Sequence, residues 1–232
     1  MLEVNRILKL MTATAVGAAL SLAAASSQAA IFVAYSTDGG VTKTDISGSL
    51  FELTPGTFVF GGSVTGFTFS GSGTLGLYPD LLLSNSIDTV ATGGAGQLDI
   101  YITNDGLTQG TGKFISGLTA NGSRNALPVT LTTLVSATNQ KFDGVVLAGP
   151  QSYTSATTQS NDFLNSGPIS PLYSVTAQYH VSSVGEFVGD AANATVNISA
   201  AVPEPATWGL MIMGFGGAGA MLRSRRKGLV AA

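Results

Sequence analysis

Residues 173–181 read YSVTAQYHV. In an extended chain Tyr173, Val175, Ala177, Tyr179 and Val181 fall on one face, and Ser174, Thr176, Gln178 and His180 on the other. That alternation predicts a strand with one apolar and one polar side. Two other stretches repeat it. In 195–200, Val196, Ile198 and Ala200 oppose Thr195, Asn197 and Ser199; further up the chain, Leu98, Ile100 and Ile102 alternate with Asp99, Tyr101 and Thr103. Asn104-Asp105-Gly106 then supplies turn chemistry.

Working outward from these, weaker alternations predict strands at 31–35, 57–60, 64–69, 75–78, 129–134 and 144–147. About nine short strands, each with one wet face and separated by Gly, Asn, Ser and Pro, predict an all-β antiparallel β-sandwich rather than a parallel α/β sheet. Jelly-roll and immunoglobulin-like topologies both fit. Residues 151–171, rich in Ser, Thr and Gln, predict a long loop. No repeat of fixed period argues for a solenoid.

The composition agrees with an exported β protein. Charged residues make up 10% of the chain, well under the roughly 25% of a typical soluble protein. Thirty glycines and a large share of Ser, Thr, Asn and Gln take their place. There is no cysteine, which excludes disulfides, thiolate metal sites and a cysteine nucleophile. Charge is segregated along the chain. Residues 30–205 hold four bases (Lys43, Lys113, Arg124 and Lys141) against twelve acids. Such a domain repels phosphate backbones, so nucleic acid is not an expected partner.

The two ends carry the remaining bases. Arg6 and Lys9 precede an apolar run, MTATAVGAALSLAAA, and then Ser-Ser-Gln-Ala-Ala. This is the three-part pattern of a secretory signal, with small residues at Ser27 and Ala29. Cleavage is expected between Ala29 and Ala30, with the secretion translocon and signal peptidase as partners. At the other end AVPEPATWGLMIMGFGGAGAMLRSRRKGLVAA has an apolar run of 15 residues from 208 to 222. As a helix it is about 22 Å long at 1.5 Å per residue, with Arg223, Arg225, Arg226 and Lys227 as an inner membrane stop.

Pro203-Glu204-Pro205, Trp208 three positions later, a glycine-rich apolar run and a terminal arginine cluster resemble the PEP-CTERM sorting domain in its PEP-x-x-W-A form. The same module is also catalogued as an ice-binding-protein C-terminal domain. Gly209 stands where that form usually has Ala, and remains a small residue. The resemblance implies processing by an exosortase near the Pro-Glu-Pro, and a Gram-negative host that makes exopolysaccharide. The expected organisation is therefore 1–29 signal peptide, 30–201 exported β-sandwich, 202–227 sorting and anchor segment with a transmembrane helix, and 228–232 cytoplasmic tail.

Catalytic motifs are weak by comparison. Gly71-Ser-Gly73-Thr-Leu-Gly76 has dinucleotide-loop spacing, but its flanks, Phe67/Phe69 and Leu75/Leu77, are strand-like on both sides, so a glycine-rich hairpin is the expectation. Gly93-Gly94-Ala95-Gly96-Gln97-Leu98-Asp99 approaches a calcium-binding repeat only once, and is expected to be a turn. Gly112-Lys113 lacks the upstream glycine of a phosphate loop. His180 is the lone histidine and has no second imidazole for a metal, so it is expected at the surface. No serine sits in a Gly-x-Ser-x-Gly elbow. Paired carboxylates for glycoside chemistry would have to be gathered by the fold, and within the exported domain the only glutamates are Glu52 and Glu186. For ice binding, Thr65/Thr68 and Thr130/Thr132/Thr133 are too few and too irregular. No catalytic residue, metal or cofactor is expected. The expected role is a non-enzymatic surface or matrix protein, sorted to the cell surface and associated with exopolysaccharide, with a carbohydrate-active enzyme as the alternative.

Overall fold

The computed structural model describes residues 30–75, 82–108, 113–121, 127–154, 159–165, 172–185, 188–200, 209 and 212–216. Its strands are β1 (Ala30–Ser36), β2 (Thr44–Asp45), β3 (Phe51–Thr54), β4 (Thr57–Val64), β5 (Phe67–Thr74), β6 (Leu83–Ala91), β7 (Ala95–Leu107), β8 (Phe114–Asn121), β9 (Val129–Ser136), β10 (Val145–Tyr153), β11 (Gln159–Asn165), β12 (Tyr173–Val184) and β13 (Ala191–Ala200). They form a six-stranded sheet, β10-β9-β12-β7-β1-β2, and a seven-stranded sheet, β11-β8-β13-β6-β5-β4-β3. From β6 onward the antiparallel pairs are nested, with β9 on β10, β8 on β11, β7 on β12 and β6 on β13, successive pairs lying in opposite sheets. Such nesting makes the sandwich a jelly roll and decides between the two topologies the sequence allows.

The alternating stretches deliver the inner faces. Tyr173, Val175, Ala177, Tyr179 and Val181 are all buried, facing Val196, Ile198 and other apolar side chains of the opposite sheet in one cluster. Each large side chain so removed from water stabilises the fold by roughly 1.5–3 kcal/mol. Gly71 and Gly73 occupy inward positions of β5, where the rings of Phe60 and Phe58 lie against them from β4. The expected glycine hairpin thus becomes a strand whose missing side chains make room for aromatic rings. Gly93 and Gly94, both at positive φ, form the expected turn into β7.

Several sequence expectations are corrected. The strand expected at 64–69 is two strands, because Thr65-Gly66 is a hairpin turn with Gly66 at φ 88°. Leu75 lies outside any strand, and the rest of 75–78 is outside the described residues. Asn104-Asp105-Gly106 does not end its strand. It forms a bulge in β7 opposite Tyr173–Val175, with Gly106 at φ 70° and its N–H bonded to Asn139 Oδ1 at 2.8 Å. The long loop expected at 151–171 contains the end of β10 and all of β11, an edge strand paired to β8 along its length.

The outer face of the six-stranded sheet is also less wet than the alternation suggests. Ser174, Thr176 and Thr103 on that face are fully buried. The loop 137–144 covers them: Phe142 N–H donates to Thr103 Oγ1 at 3.0 Å, and Ser174 Oγ donates to Gln140 O at 2.5 Å. Phe142 takes φ 59° to fold its ring over Tyr101, and the Lys141 ammonium lies 3.1 Å from the Phe32 ring centroid.

The expected transmembrane run at 208–222 lies largely outside the described residues. Gly209 and residues 212–216 within it are helical. Among the described residues no helix is long and apolar enough to cross a membrane.

Candidate functional site

The site residues read from the linear motifs, Pro203, Glu204, Pro205, Trp208, Arg223, Arg225, Arg226 and Lys227, lie outside the described residues, as does Ala29. Ala30 is the first residue of β1, where it pairs with Asp105 of β7.

What the fold adds is a polar cluster on the outer face of the six-stranded sheet. Registers bring Ser36, Asp99, His180, Thr130 and Ser152 into one row across five strands. The next row holds Tyr101, Gln178 and Thr132. His180 is not the ordinary surface residue expected from its position. Its Nδ1 lies 2.9 Å from Oδ1 of Asp99, whose side chain is only 3% exposed. A carboxylate can only accept, so Nδ1 carries the proton. Gln178 Nε2 donates to the Tyr101 hydroxyl at 3.2 Å, and Asp99 Oδ2 is buried without a hydrogen-bond partner among the described residues.

The electrostatics follow from this geometry. The hydrogen bond to Asp99 raises the His180 pKa above its usual value, outweighing burial. Burial first, then the charges of Asp99 and Asp38, push the Tyr101 phenol up to about 12, so it stays neutral. Lys43 sits 5.1 Å from the Tyr101 ring centroid, and Gly40 closes the cover, since a Cβ there would meet the Tyr101 hydroxyl at 2.5 Å. Asp38 is held down to about 2 by the Thr42 backbone N–H and the Ser36 hydroxyl.

A pH dependence follows. His180 binds its proton more tightly folded than unfolded, so its contribution is fully present below pH about 6.5. It is lost as pH rises through the raised folded value. Thermal midpoints of the wild type and His180→Gln should therefore differ most near pH 5.5 and converge toward pH 8.5. The gap is small because the imidazole is partly exposed. A gap that widens with rising pH would contradict the assignment.

Other chemistry finds less support in the geometry. A cleft of about 350 Å³ opens beside the start of β1 and the β3–β4 hairpin, and Glu52 is the one carboxylate lining it. Glu52 Oε1 there accepts from Gly56 N–H at 2.9 Å. Paired carboxylates are not brought together in this cleft, and Glu186 lies outside the described residues. Among the described residues no three His, Asp or Glu side chains converge as a metal would require. Gly71 and Gly73, being inside β5, do not stand at the head of a helix as a dinucleotide loop requires.

Sequence reasoning names His180 but misses Asp99. Both lie on alternating strands, yet only the register of β12 on β7 makes them partners.

Comparison with known proteins adds an independent finding at the C-terminus. Residues 201–227 match the family model of the PEP-CTERM protein-sorting motif. No curated protein matches the chain. Among solved structures, the enzymatically active domain of tailspike protein 4 from Bacteriophage CBA120 is similar at 14% identity and a TM-score of 0.36, over 63% of this chain and 19% of that one. The chain thus spans about a fifth of that tailspike. TmCBM61, solved in complex with beta-1,4-galactotriose, is similar at 10% identity and a TM-score of 0.36, over 65% of this chain and 91% of that one. The CBM22-1 xylan-binding domain from Paenibacillus barcinonensis Xyn10C is similar at 12% identity and a TM-score of 0.34, over 62% and 90%.

Proposed function

We propose that this chain is the precursor of a non-enzymatic surface protein, cut after Ala29, folded outside the inner membrane as a jelly roll of residues 30–201, and sorted by an exosortase through residues 202–227. At the surface the sandwich associates with exopolysaccharide. The observation that carries the reading is the PEP-CTERM sorting motif matched at residues 201–227.

A further feature supports it. The domain surface is rich in hydroxyls and amides and poor in charge, which suits contact with a hydrated, hydroxyl-bearing polymer.

The test begins with N-terminal sequencing of the exported protein by mass spectrometry, which should read Ala-Ile-Phe-Val. Fractionation of host cells should then find the sandwich with the surface polysaccharide, and polysaccharide-deficient cells should release it to the medium. A chain still starting at Met1, or a distribution indifferent to the polysaccharide, would count against the proposal.

A further inference from the structure

The outer face of the seven-stranded sheet carries a regular array that the linear sequence conceals. Cross-strand registers place Ser160, Thr119, Thr195, Ser86, Ser72, Val59 and Phe51 in one unbroken row from β11 to β3. At about 4.8 Å per strand the row is roughly 29 Å long. A parallel row runs from Asp162 through Gly117, Asn197, Ser84, Thr74 and Thr57 to Thr54. A third holds Asn121, Asn193, Asp88, Ser70 and Gly61. A shallow depression of about 170 Å³ lies along the first two rows, lined by Ser72, Thr74, Ser84, Ser86 and Thr195 among others. The threonines that looked irregular in sequence are dispersed by the fold: Thr68 joins this face, while Thr133 turns inward to donate to Ser116 Oγ at 2.9 Å.

Side chains of β6, β8, β11 and β13 in these rows are held in place by one another. Asn121 Nδ2 donates to Asn193 Oδ1 and Asn193 Nδ2 to Asp88 Oδ1, both at 2.6 Å; Ser84 Oγ donates to Asn197 Oδ1 at 2.5 Å. Thr119 and Ser160 share a bond of 2.9 Å. Each hydroxyl and amide keeps spare donor or acceptor capacity toward solvent. Short, already ordered side chains lose little entropy when a ligand is laid on them. None of the three rows contains a lysine or arginine, and their charges are Asp88 and Asp162 alone. The first row ends on Phe51, an aromatic ring left 64% exposed on the edge strand.

We propose that this face docks an extended, neutral polysaccharide laid across the strands along the Ser160–Phe51 row, with the apolar side of one sugar ring against Phe51. The inference rests on the proposed association with exopolysaccharide and names the surface and the charge class of the polymer. Hydroxyls and amides match sugar hydroxyls in both hydrogen-bonding roles, while the acids without a base on these rows disfavour a polyanion. The exposed ring supplies the apolar contact that a purely hydroxyl-binding surface would lack. Many weak contacts along one polymer add through effective concentration.

The test is affinity electrophoresis of the exported protein in native gels containing galactomannan, mixed-linkage β-glucan, dextran or the host's own exopolysaccharide, with alginate as the polyanion. At least one neutral gel should retard the wild type and alginate should not. Phe51→Ala should weaken retention at least fivefold, and Ser86→Arg should abolish it by blocking the row. Val145→Ser with Val146→Ser, two exposed positions on β10 of the other sheet, should change nothing. Circular dichroism melts keep loss of fold apart from loss of binding. Retention in a neutral gel that survives both Phe51→Ala and Ser86→Arg overturns this surface while leaving the broader association standing. Retention by alginate alone overturns the neutral class. No retention in any gel removes both the surface and the polysaccharide part of the proposed function.

Discussion

Gly73→Val is expected to destabilise the protein by about 3 kcal/mol, near the upper end of overpacking substitutions, which lowers the melting midpoint by roughly 6–12 °C for a chain of this size. Gly73 sits at an inward position of β5, and a Cβ built there meets the Phe58 ring and stands 2.8 Å from Ser84 O. The ring can turn, but the carbonyl belongs to β6, the neighbouring strand, and cannot retreat without opening the β5–β6 ladder. Valine adds two methyl groups to that conflict. Phe58→Leu, which shortens the opposing side chain, should recover part of the loss in the double variant. Ser72→Val is the control, one residue away on the solvent face and within about 0.5 kcal/mol of the wild type. A Gly73→Val protein melting within two degrees of the parent would show that the glycines are not there to make room for the rings.

That pair of glycines also illustrates how far the sequence could be read. Strands β7, β12 and β13 were legible because each keeps apolar side chains at every second position. Strand β6 was not. Its inward residues are Leu83, Asn85, Ile87, Thr89 and Ala91, and the two polar ones break the pattern although both are buried. Asn85 is tolerated inside because the Tyr179 hydroxyl, fully buried on the opposite sheet, bonds to it. In the same way Ser116 hides β8 by turning inward to meet Thr133. Both exceptions are hydrogen bonds between the two sheets, and no local pattern can announce a partner more than ten residues away. The same holds for function on the sandwich. Asp99 and His180, and the row that ends on Phe51, are residues of unremarkable type until register places them together. The C-terminal motif needs no fold to assemble it. Its residues are neighbours in sequence, which is why it could be read from the linear chain.

Replacing Pro203, Glu204 and Pro205 together by alanine is expected to leave essentially all of the protein uncleaved and membrane-bound in the native host. Each proline fixes φ, removes a backbone donor and biases the residue before it toward an extended conformation. Such a segment is poorly suited to a strand ladder. An extended peptide at the outer membrane face is the form a transpeptidase-like enzyme can thread into its active site, and alanines would let the segment turn helical instead. Residues 208–222 would fix the height of that peptide, with the cluster of Arg223, Arg225, Arg226 and Lys227 as the inner stop. Neutralising those four residues is expected to have the other phenotype: processing motif intact, but orientation weakened, so that some chain slips into the periplasm. Tags in the sandwich and at Ala232, followed by fractionation and blotting, separate the two. The wild type should part its tags, the alanine variant should keep both on one membrane band, and the charge variant should show sandwich tag in the soluble fraction. Should the wild type keep both tags on a single membrane band whether or not the host's exosortase is present, sorting fails as the explanation and residues 201–227 act only as an anchor.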